Sequence, residues 1–274
     1  SSDLGSGQAC VVRSFAHIKG ESHMPKRMIL GIALAAGLAA APAFAVDFQH
    51  TGDDGWIEGW LSMEVVMNNG GFAASGAIDF LSDGTDGDIT HESVSTAKGL
   101  RKLATAEVKL DKAHSGFGMG EDGVWDWEPI TIDTNNGDNM ATSWGLAAGS
   151  DNIEWHGILV MKSSKNRTAT MHPAHDDYAQ IWINGEQVYD NDQWTGAVRQ
   201  VTRPTDVELV AGDNVLLFKC GESGGSAYVN LRFEDSESDI DIVPTVDGEF
   251  WNFAGLAVEA QDKAATTWAG LKSR

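Results

Sequence analysis

Carboxylate-bearing loops at both outer ends of a predicted β-hairpin are the strongest candidates for chemistry in this sequence. Asp176 and Asp177 precede an apolar-rich run, and a second acidic loop at 190–192 ends the strand that returns from it. Asn184-Gly185 joins the two strands, and this dipeptide favours a two-residue type I′ turn because both central residues need positive φ. The loops can therefore offer several oxygen ligands to a hard cation or to sugar hydroxyls.

We predict a calcium site at this hairpin, and carbohydrate as the ligand that the ion and a neighbouring indole ring would bind. The predicted metal ligands are Asp176, Asp177, Asp190 and Asp192, and the predicted ligand-binding surface adds Asn191 and Trp194. The alternative is that the aspartate pair only caps a turn through hydrogen bonds from side chain to backbone.

The same segment resembles the protective-antigen-type lectin domain, a β-sandwich of bacterial secreted proteins and yeast adhesins. The resemblance rests on Asp176-Asp177, on Ile181-Trp182-Ile183-Asn184-Gly185, and on the later Asp190 and Trp194. It covers about residues 150–235, whereas residues 56–133 match in layout only. It implies a jelly-roll sandwich in which the paired aspartates form a cis-peptide calcium site that holds a sugar. Tyr178 stands where the family usually has Gly, and many relatives keep the sandwich without binding sugar.

Other polar clusters offer competing interpretations. Two acidic loops, residues 83–88 and 133–139, alternate oxygen donors but lack the bidentate Glu that completes an EF-hand, which favours turns. His172 and His175, with His156, have the residue types of a zinc site, yet Pro173 prevents a helix from aligning the first two. Trp125 and Trp127 lie near predicted loops and are further candidates for stacking on sugar rings.

Composition limits the class of partner. The chain has 40 Asp and Glu against 19 Lys and Arg, for a formal net charge of −21. This balance argues against nucleic acid and anionic membranes, which bind basic surfaces. Residues 24–45 read as a secretory signal peptide, with Lys26-Arg27, an apolar run and the cleavage pattern Ala43-Phe44-Ala45. We predict no membrane span in the mature chain and a location in the periplasm, at the cell surface or outside the cell.

The domain organisation follows from these boundaries. Residues 1–23 lack Met and are interpreted as an upstream leader, translated from DNA that precedes the true start. Residues 46–235 form the predicted sandwich, 236–247 an acidic linker, and 248–274 a C-terminal tail with some helical spacing.

The body of the chain predicts an all-β, jelly-roll β-sandwich, because short alternating or apolar runs are separated by Gly, Asp, Asn and Ser. The predicted strands are 56–67, 124–133, 153–162, 178–183, 198–202, 207–210, 215–220 and 227–233, and helical spacing over 93–110 is weak. Cys220 ends an apolar run and is predicted to be a buried strand residue.

Three functional classes stay open at this point. A non-catalytic, exported binding module for a glycan or another extracellular polymer fits best. A structural or adhesive surface protein that self-associates is the alternative from another class. A polysaccharide-active enzyme is the third, although no Gly-x-Ser-x-Gly motif or isolated carboxylate pair supports it.

Overall fold

A computed structural model describes residues 53–68, 71, 73, 76–103, 108, 127–234 and 239–243 of the chain. These residues all belong to the unit Val46–Arg274, one of two units into which the chain divides. The predicted leader, signal peptide and C-terminal tail lie outside the described residues, as does Trp125. Among the described residues, no helix has the length and hydropathy that a membrane crossing requires.

Ten strands and four short helices make up the described part of the chain. The strands are β1 (Gly59–Met67), β2 (Trp127–Thr131), β3 (Ile153–Ser163), β4 (Arg167–His175), β5 (Tyr178–Ile183), β6 (Glu186–Asn191), β7 (Thr205–Leu209), β8 (Gly212–Gly221), β9 (Val229–Phe233) and β10 (Asp241–Val243). The helices are α1 (Phe80–Gly84), α2 (His91–Val94), α3 (Ala97–Leu103) and α4 (Asn139–Thr142), and a 3₁₀ turn spans Asp53–Gly55.

The strands form two antiparallel sheets. The large sheet has the order β2-β1-β3-β8-β5-β6, with β10 also paired to β3, and the small sheet has the order β7-β4-β9. Long pairings hold the centre of the large sheet, where β3 and β8 match from Glu154 opposite Gly221 to Ser163 opposite Gly212. Strand β5 lies on the other side of β8, with Tyr178 opposite Gly221.

Alternation of side chains along the central strands builds two apolar layers. Leu216, Phe218 and Cys220 of β8 point into the core between the two sheets. Val215 and Leu217 point the other way, into a second core. Residues of α1, α2 and α3 cover this second core, so the large sheet is buried on both faces. This two-sided burial explains why β8 reads as a continuous apolar run.

The predicted fold class is confirmed, since the described chain is mostly β and its antiparallel sheets pack as a sandwich. The hairpin is also confirmed: β5 and β6 pair, and Asn184 and Gly185 have φ of 53° and 90°. Cys220 is buried on β8, as predicted. The weak helical spacing at 93–110 corresponds to the end of α2 and to α3.

The structure differs from the sequence prediction in three places. Residues 198–202, predicted as a strand, form turn and bend structure, and Asn230 Nδ2 donates a hydrogen bond to Val198 O. Strand β4 was not predicted, because its mix of Thr, His, Pro and Ala shows no clear alternation. Strand β10 lies inside the predicted linker, since Ile240, Ile242 and Val243 are buried despite their acidic neighbours.

Candidate metal site

Three carboxylates meet in the large sheet where the start of β5 lies beside the end of β8. Asp176 and Asp177 lie between β4 and β5, and Glu222 follows the last residue of β8. The antiparallel pairing of β5 with β8 places the start of one beside the end of the other. The amide of Asp177 donates to Gly221 O at 3.0 Å, and the amide of Asp176 donates to Tyr228 O at 3.0 Å. The Asp176–Asp177 peptide bond is cis.

One oxygen from each of Asp176, Asp177 and Glu222 lies within 4.8 Å of the other two. Asp177 and Glu222 are buried, and Asp176 is half-buried. Within the described residues, this is the group of His, Cys, Asp and Glu side chains that brings three potential ligands together. Its all-oxygen donor set suits Ca²⁺.

Hydrogen bonds orient two of these carboxylates and leave one oxygen open. Asp177 Oδ2 accepts from the Ser223 amide at 3.1 Å and from the Ser223 hydroxyl at 2.7 Å. Glu222 Oε1 accepts from the Gly224 amide. Glu222 Oε2 is buried and has no hydrogen-bond partner among the described residues. A buried carboxylate oxygen without a partner is costly, and a cation would satisfy it.

Burial and crowding raise the pKa values of two of the three carboxyl groups. Burial, followed by the charge of Asp177, raises the pKa of Asp176 to about 7. Burial and the same neighbour raise the pKa of Glu222 to about 8, against a smaller opposing hydrogen bond from Gly224. Both shifts mean that the ionised cluster is unfavourable on its own, which is the electrostatic condition that a bound cation relieves.

A buried network behind the cluster holds the main chain of Asp177. His175 Nδ1 lies 3.2 Å from Asp177 O, and His175 Nε2 lies 2.9 Å from the Tyr189 hydroxyl. Burial lowers the pKa of His175 to about 4, so the ring is neutral at pH 7. A neutral ring protonated at Nδ1 donates to Asp177 O and accepts from Tyr189. Asn191 Nδ2 in turn donates to the Tyr189 hydroxyl at 3.0 Å.

The structure places the second predicted loop apart from the carboxylate cluster. Asp190 lies opposite Gln180 in the β5–β6 pairing, and its Oδ2 accepts from the amides of Gln180 and Gln187 at 3.5 Å. Asp192 Oδ1 accepts from the side-chain amide of Gln193, Nε2, at 3.2 Å. Neither Asp190 nor Asp192 belongs to the cluster of three carboxylates. Alternation along β6 explains this for Asp190, whose neighbours Tyr189 and Asn191 take the opposite face.

Trp194 is 57% exposed, and Thr195, the next residue, makes hydrogen bonds beside the carboxylate cluster. The Thr195 amide donates to His175 O at 3.0 Å, and the Thr195 hydroxyl lies 3.3 Å from the Tyr228 hydroxyl. Because Asp176 directly follows His175 and bonds to Tyr228 O, these contacts fix the Trp194 loop beside the aspartate pair. Trp127, the other described candidate for stacking, is half-buried in β2.

The competing sites of the sequence analysis take structural roles. His172 Nε2 bonds Glu234 Oε1 at 2.6 Å, whereas His156 Nε2 faces His91 Nε2 at 3.2 Å, so each of the three histidines has different partners. In the loop 133–139, Asp133 Oδ1 accepts from the Asn135 amide at 2.9 Å, which is a turn contact.

Sequence reasoning missed Glu222, which lies 45 residues from Asp177 along the chain. The available signal was an acidic residue placed directly after the Cys220-Gly221 end of a central strand. Its proximity to the aspartate pair can be predicted only when β5 and β8 are known to be neighbours.

No family model matches the chain, and no curated protein matches it. Solved structures with partial similarity include an anti-sigma factor domain-containing protein from Clostridium clariflavum, at 16% identity and a TM-score of 0.31, covering 44% of this chain and 40% of that one. A family 35 carbohydrate binding module from an environmental isolate matches at 19% identity and a TM-score of 0.27, covering 42% of this chain and 85% of that one. A family 35 module from Clostridium thermocellum matches at 22% identity and a TM-score of 0.21, covering 35% and 73%.

The chain thus spans less than half the length of the anti-sigma factor protein that it matches. TM-scores of this size establish neither a family nor a ligand, and no family model supports the protective-antigen resemblance.

Proposed function

We propose that this protein is an extracellular, non-catalytic carbohydrate-binding module whose site holds a calcium ion. The single observation that carries the proposal is the convergence of Asp176, Asp177 and Glu222, where one buried carboxylate oxygen has no hydrogen-bond partner in the described part of the chain. These three side chains would hold the ion. Export and a location outside the cytoplasm belong to the same proposal, supported by the signal-like residues 24–45.

Each part of the site has a task in this proposal. The bound ion supplies open coordination positions that vicinal sugar hydroxyls can fill. Ser223 orients the Asp177 carboxylate through two hydrogen bonds, and His175 fixes the Asp177 carbonyl. Trp194 offers an exposed indole face to the apolar side of a sugar ring.

The test is a calcium titration by calorimetry, with thermal melting in the presence and absence of chelator. We expect calcium to raise the melting temperature, because an ion that binds only the folded state stabilises it. Asp177→Asn should abolish that shift while the protein still folds. Asp192→Asn is the matched control, since it removes an exposed carboxylate outside the cluster.

Two results would contradict the proposal. Equal calcium binding by the wild type and Asp177→Asn would remove the cluster from consideration. Loss of binding in Asp192→Asn alone would move the site to the second hairpin loop. If calcium binds as expected, a glycan array with and without chelator then tests the carbohydrate part.

A further inference from the structure

A polar pocket opens on the other face of the large sheet, between its helical cover and strands β5 and β6. Its volume is about 380 Å³, and its lining includes Asp79, His91, Gln180, Trp182 and Gln187. Ligand pockets span about 300–1,000 Å³, so this one has room for a single small ring. None of the lining residues belongs to the carboxylate cluster, and Gln180, the lining residue nearest to Asp177 in sequence, lies three residues beyond it, about 10 Å along an extended strand. The pocket is therefore separate from the carboxylate cluster.

The wall of the pocket combines a flat apolar surface with fixed polar groups. Trp182 is only 9% exposed, and its ring packs against His91 with ring centroids 5.0 Å apart. The Asp79 carboxylate accepts from the His91 amide at 2.8 Å and from the Ser82 amide at 2.9 Å, so its position is fixed. The Asp79 side chain is 31% exposed, and this partial burial raises the pKa of its carboxyl group.

The two glutamine amides of the pocket are available to a ligand. Gln180 and Gln187 both donate to the same oxygen of Asp190 at 3.5 Å, the outer limit of a hydrogen bond. A ligand hydroxyl at normal distance would compete well for either amide. Polar groups that are convergent but weakly engaged are typical of a small-molecule site.

A buried hydroxyl, that of Tyr178, lies behind the pocket. Tyr178 is 4% exposed, and its hydroxyl has no hydrogen-bond partner among the described residues. It lies behind Gly76 of the pocket lining, where a Cβ atom would stand 3.0 Å from it. Because Gly76 has no side chain, it places no side-chain atom between the pocket and the Tyr178 hydroxyl.

We propose that this pocket binds one uncharged pyranose ring, independently of the calcium site. A pyranose has an apolar face of C–H groups, which matches the indole of Trp182, and a rim of hydroxyls, which matches Asp79 and the two glutamine amides. The described lining residues include no Lys or Arg, whereas Asp79 and Glu92 bring two carboxylates. Sugar acids are therefore disfavoured by like charge.

The experiment is calorimetric titration of the full chain with the methyl glycosides of glucose, galactose and mannose, with chelator present throughout. We expect at least one neutral glycoside to bind saturably and glucuronate to bind more weakly. Gln187→Ala and Asp79→Asn should each weaken binding about tenfold, as expected for one lost polar contact. Gln187 is exposed, so Gln187→Ala should fold. Asp79→Asn keeps the oxygen that accepts from the Ser82 amide but loses the acceptor of the His91 amide, so its folding is checked by thermal melting.

Two controls separate this site from the calcium site. Gln200→Ala removes an exposed glutamine from a loop outside the pocket and should leave binding unchanged. Asp177→Asn should abolish calcium binding and leave glycoside binding in the pocket intact. The inference is overturned if no neutral glycoside binds in chelator, if glucuronate binds as tightly, or if Gln187→Ala and Asp79→Asn bind like the wild type. None of these outcomes bears on calcium binding by the carboxylate cluster.

Discussion

Replacing Glu222 by Gln should have opposite effects on the metal-free and the calcium-bound protein. Glutamine keeps the oxygen that accepts from the Gly224 amide and puts an N–H₂ donor in place of the oxygen without a partner. That donor can bond to the neighbouring carboxylates of Asp176 and Asp177. The substitution also removes one of the three charges that would hold the ion.

The magnitude follows from the pKa of Glu222, which is about 8 in the folded protein and 4.5 as the ordinary value. A carboxyl group with a raised folded-state pKa keeps its full contribution to stability below about pH 4.5 and loses it as the pH rises to about 8. The full shift corresponds to about 5 kcal/mol, and the effective dielectric constant of protein sites, which exceeds that of a dry interior, reduces this to about 2 kcal/mol. Metal-free Glu222→Gln should therefore melt about 5 °C higher than the wild type at pH 9 and equally at pH 4.

The assay is thermal unfolding with chelator at pH 4, 7 and 9, followed by calcium titration at pH 7. We expect Glu222→Gln to bind calcium at least about tenfold more weakly, because affinity depends on the number of charged ligands. Asp213→Asn, which removes an exposed carboxylate near the start of β8, is the matched control. The reasoning is refuted if Glu222→Gln leaves the melting temperature at pH 9 and the calcium affinity both unchanged.

Two further predictions concern the scaffold. Lys219→Met should cost about 3–5 kcal/mol in urea unfolding, because Lys219 and Glu154 are fully buried and lie 3.2 Å apart, so the change leaves a buried carboxylate without its ammonium partner. Lys162→Met, at a partly exposed pair, should cost less than about 1 kcal/mol, and equal costs would contradict the argument. The chain truncated after residue 235 should melt lower than the chain truncated after Val243, because the segment between these points carries three buried apolar side chains, those of Ile240, Ile242 and Val243. Equal melting of the two truncations would show that β10 adds nothing to the sandwich.

Local signals in the sequence predicted the parts of the fold that depend on nearest neighbours. The β5–β6 hairpin was predictable because Asn184-Gly185 specifies a turn with positive φ and the residues before it form a strand-like run. Strand β8 was predictable from its apolar run. Strand β4 was not, since burial of His172, Pro173 and His175 on a strand depends on partners far along the chain.

The candidate site was predictable only in its first half. The aspartate pair could be identified from the hairpin, but its third carboxylate comes from the end of β8, which sequence places near β5 only if the sheet order is known. The same limit applies to the pocket. Gln180 and Trp182 face the helical layer because alternate residues of β5 face the sandwich core, and no local pattern shows what covers that outer face.

Few of the many acidic residues that the structure describes are buried. Of the Asp and Glu residues in the described part of the chain, Glu154, Asp177 and Glu222 are the buried ones. Glu154 is compensated by the ammonium group of Lys219. Asp177 and Glu222 instead face each other and Asp176, and the pKa shifts of Asp176 and Glu222 arise from burial and from neighbouring carboxylates. Buried charge that the fold does not neutralise itself destabilises the protein unless a ligand supplies the opposite charge. That requirement, rather than the net charge of −21, is what points to a cation at this cluster.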